Sequence, residues 1–315
     1  MQRDTRARGL TIRVGIAPPP QLRTVDDLWR FVDALEELGY DSIWLSDSAT
    51  RTGLASVPAL AAIAARTRRL KLGANVFVLP ARNPVLLAKE LATIDAISSG
   101  RLLPAGGLGV DAPVERGALA IGKGDRVGRL EEALEVIRLL WSGSPVSYEG
   151  RTCRLDGVRL QPRPTRPRLE FWLGGRARPA LERIGRLADG WIASFVSPDE
   201  LASGTDIIRA AARDAGRSID EDHYGTTIFV AETGEDAAAL TPRLHALRRD
   251  VPTAETVATG TAAARDLLER FVAAGASKFV VIPVARDPTA FLRTLRDEVV
   301  DAVEGGPSAV EFGAT

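Results

Sequence analysis

The sequence predicts an α/β protein, a (β/α)8 TIM barrel, and three observations carry that expectation. A short apolar strand followed by a helix recurs eight times between Thr11 and Val303. The strands are continuous apolar runs of the kind buried on both faces of a parallel sheet, not alternating ones. At the first strand-to-helix turn Pro18-Pro19-Pro20 stands where a doubly wound dinucleotide fold would carry its glycine fingerprint, and such a fold would use about six strands. A chain of 315 residues accommodates such a barrel as one unit. The expectation is therefore a single barrel domain over residues 1–304 and a flexible tail of small and polar residues, 305–315.

Strand one is Thr11–Ala17, and the helix after it runs from the N-cap Thr24 to Leu38, with Gly39 as its stop. Strand two is Ser42–Ser46, its helix Ser56–Thr67, and strand three Leu70–Val76. The next helix opens at Asn83-Pro84, where proline suits the first turn, and places Leu86, Leu87, Leu91 and Ile94 at helical spacing. Its stripe over Val85–Ile94 suits a homodimer surface or packing against the barrel. Strand four, Arg101–Gly107, contains Pro104, which a central strand tolerates poorly.

A glycine-rich excursion, Leu108–Gly124, follows strand four, and the helix Arg126–Trp141 comes next. A second excursion, Gly143–Pro167, precedes strand five and holds a short extended piece at Val146–Glu149. Long loops in compact domains often serve as lids or site walls. Strand five is Leu169–Leu173, running into Gly174-Gly175-Arg176-Ala177 and then a helix beginning at Pro179. Strand six is Gly190–Ser194, followed by the helix Pro198–Ala215 and by strand seven, Tyr224–Val230. Helical segments at Asp236–Asp250 and Thr261–Ala274 lead to strand eight, Lys278–Pro283, and a last helix, Pro288–Val303.

Composition excludes several classes. The 41 basic residues balance 41 acidic ones, so no general attraction to nucleic acid or an anionic membrane is implied. The start, Met1–Arg8, has no apolar run behind its charges and no later run is long enough to span a bilayer, so a cytoplasmic protein is expected. Cys153 is the only cysteine, which leaves no intrachain disulfide, and with His223 and His245 the only histidines no metal site is expected.

In a (β/α)8 barrel the site lies at the C-terminal ends of the strands. Those ends offer Asp47 and Ser48, Asn75 and Val76, Gly107 to Asp111, Gly174 to Ala177, Ser194 and Phe195, Ala231 and Glu232, and Val284 to Asp287. Gly174 and Gly175 stop an apolar strand just before a helix, and free N–H groups at a helix start favour an anion, usually phosphate. The plainer reading is a strand-to-helix turn that uses glycine for its backbone freedom. Acids and bases are few. An aldolase would want a lysine near the substrate, but Lys71 and Lys278 lie at strand starts, Lys89 in a helix and Lys123 in a loop. A phosphate cradle with so few catalytic groups suits a protein whose cofactor carries the chemistry.

From about Leu10 to Val303 the chain resembles the luciferase-like monooxygenase superfamily, in particular its coenzyme F420-dependent oxidoreductases. The motifs are Leu38-Gly39-Tyr40-Asp41-Ser42-Ile43-Trp44-Leu45-Ser46-Asp47, Leu72-Gly73-Ala74-Asn75-Val76, Arg82-Asn83-Pro84 through Asp95 with Ser99-Gly100-Arg101-Leu102, Arg129-Leu130-Glu131-Glu132-Ala133, and Leu173-Gly174-Gly175 with Ala188-Asp189-Gly190-Trp191. The resemblance implies a deazaflavin (F420) or flavin (FMN) across the strand ends. Gly174, Gly175, Arg176 and Ala177 would hold its phosphate arm, Asp47, Ser48 and Gly107 would lie near the ring, and Asn75-Val76 would be a non-prolyl cis peptide bulging behind it.

Two departures bear on chemistry. Many F420-dependent members carry histidine where Ser48 stands, and serine exchanges a proton poorly near neutral pH. Some carry glutamate where Val110 stands. The catalytic candidates are Asp47, Ser48 and Asp111, with Glu115 or the substrate as further proton donors; the plainer reading of Asp111 and Glu115 is a solvated loop residue. The expected function is hydride transfer between F420 and a small organic substrate. The alternatives are an FMN-dependent monooxygenase and an F420- or flavin-binding protein without turnover.

Overall fold

The structure is a computed structural model that describes residues 10–305 apart from 23, 51, 52 and 123. Met1–Arg8, Lys123 and, but for Gly305, the expected tail lie outside the described residues. The first half of the chain runs β1 (Arg13–Ile16), α1 (Val25–Glu37), β2 (Ser42–Leu45), α2 (Ser56–Arg66), β3 (Lys71–Ala74), β4 (Phe77–Val78), α3 (Pro84–Ile97), β5 (Leu102–Leu103), β6 (Ala105–Gly107), α4 (Pro113–Ala118) and α5 (Arg126–Trp141). The second half runs β7 (Val146–Glu149), β8 (Arg154–Val158), β9 (Trp172–Gly174), α6 (Arg178–Leu187), β10 (Gly190–Ser194), α7 (Pro198–Asp214), β11 (Tyr224–Ala231), α8 (Gly234–Leu247), β12 (Val257–Thr259), α9 (Gly260–Ala273), β13 (Lys278–Val284) and α10 (Pro288–Leu295). A π-turn, Arg296–Val300, and α11 (Asp301–Glu304) extend the last helix.

The helix boundaries follow local chemistry. Thr24 caps α1 with a full capping box, its hydroxyl accepting from Asp27 N at 3.0 Å and Asp27 Oδ2 accepting from Thr24 N at 3.1 Å. Asn83 Oδ1 caps α3 by accepting from Val85 N and Leu86 N, with Pro84 in the first turn. In α3, Leu87, Ala88, Leu91 and Ile94 are buried, whereas Leu86 is 62% exposed. Most of its apolar stripe therefore packs inward.

Parallel pairing runs β4-β6-β9-β10-β11-β13-β1-β2-β3-β5. The expected third strand, Leu70–Val76, corresponds to β3, and beyond a break at Asn75-Val76 the strand continues as β4, outside the expected bounds, while β5 and β6 are the halves of the fourth, divided at Pro104. The two ends of the path therefore meet and the sheet closes on itself. Pro104 had argued against a strand; here it marks the break, with pairing on either side at Leu72↔Leu102 and Gly106↔Leu173. The sequence reading missed β12, which pairs with β11 beyond the end of β10, and β8, which makes an antiparallel hairpin with β7 outside the barrel. Three-residue and solvent-facing strands carry too little apolar pattern to be seen. The chain between β6 and α5 contains the short helix α4.

Glycine sets how the barrel interior fills. A Cβ on Gly73 would lie 2.4 Å from Trp44 Cε3 and one on Gly190 2.3 Å from Trp172 Cε2, so both indoles occupy room that any other residue would take. Trp44 also donates from Nε1 to Ser42 Oγ at 2.9 Å. At the N-terminal end of the barrel Asp41 receives Lys71 Nζ at 2.7 Å and Lys278 Nζ at 2.9 Å. Burial alone would raise the Asp41 pKa, but the Lys278 and Lys71 ammoniums outweigh it and bring it to about 2. These lysines hold the floor of the barrel, away from the strand ends.

Asp41 predicts a pH effect with a fixed sign. Its folded pKa lies below the ordinary 3.8, so its stabilisation, about 2 kcal/mol, is full above that value and lost as pH falls toward 2. Asp41→Asn should lower stability at neutral pH by about 3 kcal/mol or more, because Lys278 loses its buried partner. The variant's urea stability should also fall less steeply than wild type between those two pH values. An equal slope in both proteins counts against the assignment.

Candidate active site

The C-terminal strand ends form a wall around Val76. The Asn75-Val76 peptide is cis. A Cβ on Gly107 would come 2.6 Å from Val76 Cγ2 and one on Gly174 2.9 Å from Val76 Cγ1, so the Val76 side chain fits between strands four and five only because both neighbours are glycine. Asn75 reaches across the barrel, its Nδ2 donating to Thr227 Oγ1 at 2.7 Å, and Ser194 Oγ donates to the same oxygen at 3.3 Å. The structure thus brings Asn75, Val76, Gly107 and Gly174 together, and adds Thr227, which sequence reasoning had left as an ordinary strand residue. Its only sequence signal is a polar residue inside an apolar strand.

The turn after β9 has the features of an anion cradle. Gly175 adopts φ +148°, which side-chain-bearing residues rarely enter, and its carbonyl accepts from Trp191 Nε1 at 2.8 Å. Ala177 is the N-cap of α6 and supplies no side-chain acceptor. Among the described residues the N–H groups of Arg176, Ala177 and Arg178 have no hydrogen-bond acceptor. Open donors at the positive end of a ten-residue helix suit a phosphate. Arg176 lies beside this turn, its Nη2 3.5 Å from Leu247 O, and Arg248 stands near it, neutralised by Glu200 at 2.7 Å and Asp250 at 2.8 Å.

The acidic candidates are held in ionised pairs. Asp47 Oδ1 accepts from Ser56 Oγ at 2.7 Å and Arg82 Nη2 at 2.6 Å, and its Oδ2 from Val78 N at 2.9 Å and Arg82 Nε at 3.0 Å. Burial opposes ionisation, but the Arg82 guanidinium and the other donors prevail and lower its pKa. A carboxylate so engaged fastens β2 to β4 and α2 and is a poor proton donor. Asp111 pairs with Arg116 and, at 3.2 Å, with Arg126. Arg126 also donates to Leu108 O at 2.8 Å and Gly109 O at 2.7 Å, fixing the first excursion.

Glu115, on α4, is 4% exposed rather than a solvated loop residue. It accepts from Ser48 Oγ at 3.0 Å, Ala49 N at 2.8 Å, Thr50 N at 3.1 Å and Thr50 Oγ1. Burial would raise its pKa, but the Thr50, Ala49 and Ser48 donors lower it. Ser48, in the place of the expected histidine, is therefore part of a latch that ties the loop after β2 to the helix after β6. No motif foretold this pairing across 67 positions. At the opposite end of the barrel Asp220, Asp222 and His223 bring one ligand atom each within 4.8 Å of one another, where the sequence reading expected no metal site; two of the three are exposed.

Comparison with known proteins agrees with this architecture. The luciferase-like monooxygenase family model matches residues 9–287, and the chain belongs to that family. A relative from Nakamurella multipartita, an F420-dependent glucose-6-phosphate dehydrogenase, is 33% identical over 204 residues, covering 60% of this chain and 58% of its own length. The chain thus spans about three fifths of that curated relative. Two solved structures share the fold at a TM-score of 0.79: the monooxygenase RslO1 from Streptomyces bottropensis, 20% identical and covering 92% of this chain and 99% of its own, and an F420-dependent secondary alcohol dehydrogenase, 19% identical and covering 93% and 99%.

The latch has a measurable consequence. Because the Glu115 pKa is depressed, its contribution is present above the ordinary carboxylate value and lost as pH falls below it. Glu115→Ala should cost about 1–3 kcal/mol and expose the segments around Ala49 and α4 to limited proteolysis at neutral pH. Wild type should show the same cleavage only in acid. Unchanged cleavage in the variant would remove the latch from the account.

Proposed function

We propose that this chain is an F420-dependent oxidoreductase that moves a hydride between the deazaflavin and a small organic substrate. The observation that carries the reading is the turn after β9, with open amides at Arg176, Ala177 and Arg178 behind a Gly175 that only glycine suits. Gly174 to Ala177 would hold the phosphate arm, Val76 would back the ring, and Asp47 and Ser48 would act beside it through the contacts already described. When bound, the deazaflavin supplies the carbon that gives or takes the hydride. The chain's own part is position and closure. Val76, seated against Gly107 and Gly174, gives a fixed wall; the Asn75–Thr227–Ser194 contacts hold that wall across the barrel; and Glu115 keeps two loops together at the rim.

In this reading the barrel acts as one domain over residues 1–304, in the cytoplasm and as a homodimer. Among the described residues no helix is long and apolar enough to cross a membrane, and Leu86 and Ile97 stand exposed on α3. The F420-dependent relative and structural neighbour favour the deazaflavin. The monooxygenase neighbour favours FMN-dependent monooxygenation as the second reading.

Fluorescence titration separates the two. F420 should bind the purified protein more tightly than FMN, and Gly175→Val should weaken that binding at least about tenfold while the protein still unfolds cooperatively. A Cβ at this position would press on Ala180 Cβ at 2.8 Å and fill the cradle. Preference for FMN transfers the reading to monooxygenation. Binding of neither cofactor overturns both.

A further inference from the structure

A second polar cavity lies outside the strand-end wall. It is a half-open cleft of about 190 Å3 between the turn after β4 and the first part of α5, and its lining includes Arg82, Asn83, Arg129, Ala133 and Thr152. Gly174 to Ala177 are not among its lining residues, so it is distinct from the cradle after β9.

Its lining carries two guanidinium groups, which differ in their partners. Arg82 pairs with Asp47 at 2.6 Å and is also acted on by Glu90. Asn83 Oδ1 is used as the α3 cap, so the side chain presents its amide as the remaining polar group. Arg129 lines the cavity, half-buried, and its Nε is shielded from solvent with no acceptor; among the described residues no carboxylate pairs with it. The nearest acid along the helix on that side, Glu132, is occupied by Thr152 N and Cys153 N, both at 2.9 Å. A buried N–H without an acceptor is uncommon in folded proteins, because leaving a desolvated donor unpaired is costly. The polar groups beside Arg129 on the lining are the Arg82 guanidinium, the Asn83 amide and the Thr152 hydroxyl, all able to donate.

We infer that this cavity is a binding site for a small oxyanion group, phosphate or carboxylate, with Arg129 as its principal ligand. A planar guanidinium facing amide and hydroxyl donors matches two oxygens of one such group. The volume admits an ion with some of its waters. The site does not depend on the cofactor reading. Its occupant is either a free anion or the acidic arm of a larger molecule, and the two sources share the same chemistry.

The test uses the whole protein and inorganic phosphate at constant ionic strength. Gly175→Val removes the cradle after β9, and in that background phosphate should still give a saturable rise in Tm of about 2–4 °C. Arg129→Met in the same background keeps the aliphatic stem but not the charge, and should abolish the rise or shift half-saturation at least tenfold. Arg129→Lys should restore part of it. A second arm measures F420 affinity in Arg129→Met alone. A loss there assigns the anion to the arm of a bound cofactor, and no loss assigns it to a separate ligand; both support the site. An identical phosphate response with and without Arg129 overturns it. So does a shift in sedimentation on Arg129→Met with no anion effect, which would make the missing partner a carboxylate of a second copy.

Discussion

The strand-end wall depends on one close approach. Val76 enters the barrel where strand three is interrupted, and the space it takes belongs to Gly107 on one side and Gly174 on the other. Neither glycine can be exchanged without moving Val76, and Val76 is covalently tied to Asn75, whose amide reaches Thr227 on the far side at 2.7 Å. Strands three, four, five and seven are thus fixed by one wedge and one hydrogen bond. The wall they make is backbone and aliphatic carbon, with few groups that titrate.

Electrostatics reinforces that division. Asp47 after β2 and Glu115 on α4 are each spent on linking segments of chain, Asp47 joining β2 to β4 and Glu115 joining α4 to the loop after β2. Both carboxylates accept several donors, and both pKa values are lowered in consequence. A group stabilised in its charged form by four donors holds position well and transfers a proton poorly. The arrangement suits chemistry in which the reacting carbon belongs to a bound cofactor and the protein sets distance and excludes water.

Much of this was legible in the sequence, and what was not has identifiable causes. The helices could be read because capping and apolar spacing are local: Thr24, Asn83 and the α3 stripe behave as their neighbours along the chain require. The main strands could be read because parallel strands buried on both faces are apolar throughout. The glycine turn was recognisable as a candidate, but only coordinates show that Arg176, Ala177 and Arg178 keep their amides open. What escaped was long-range pairing of polar side chains. Ser48 with Glu115, Asp47 with Arg82 and Asn75 with Thr227 join positions 67, 35 and 152 residues apart, and nothing in local pattern selects them. Splitting of strand four was hidden because Pro104 reads as an argument against a strand rather than as a joint within one, whereas the cis bond at Asn75-Val76 was expected from the family resemblance although it leaves no compositional mark.

Ser48 gains a meaning that its residue type alone did not suggest. Where the family resemblance led to the expectation of a histidine, this chain places a hydroxyl that donates to a buried carboxylate on the loop helix. A hydroxyl there is a poor proton carrier, and what it supplies is a tie between the loop after β2 and the helix after β6. Those two segments flank the strand ends where the substrate must arrive. Under the proposed reading the proton would come from the substrate or solvent, because the one hydroxyl and the two carboxylates nearby are committed to holding chain segments together.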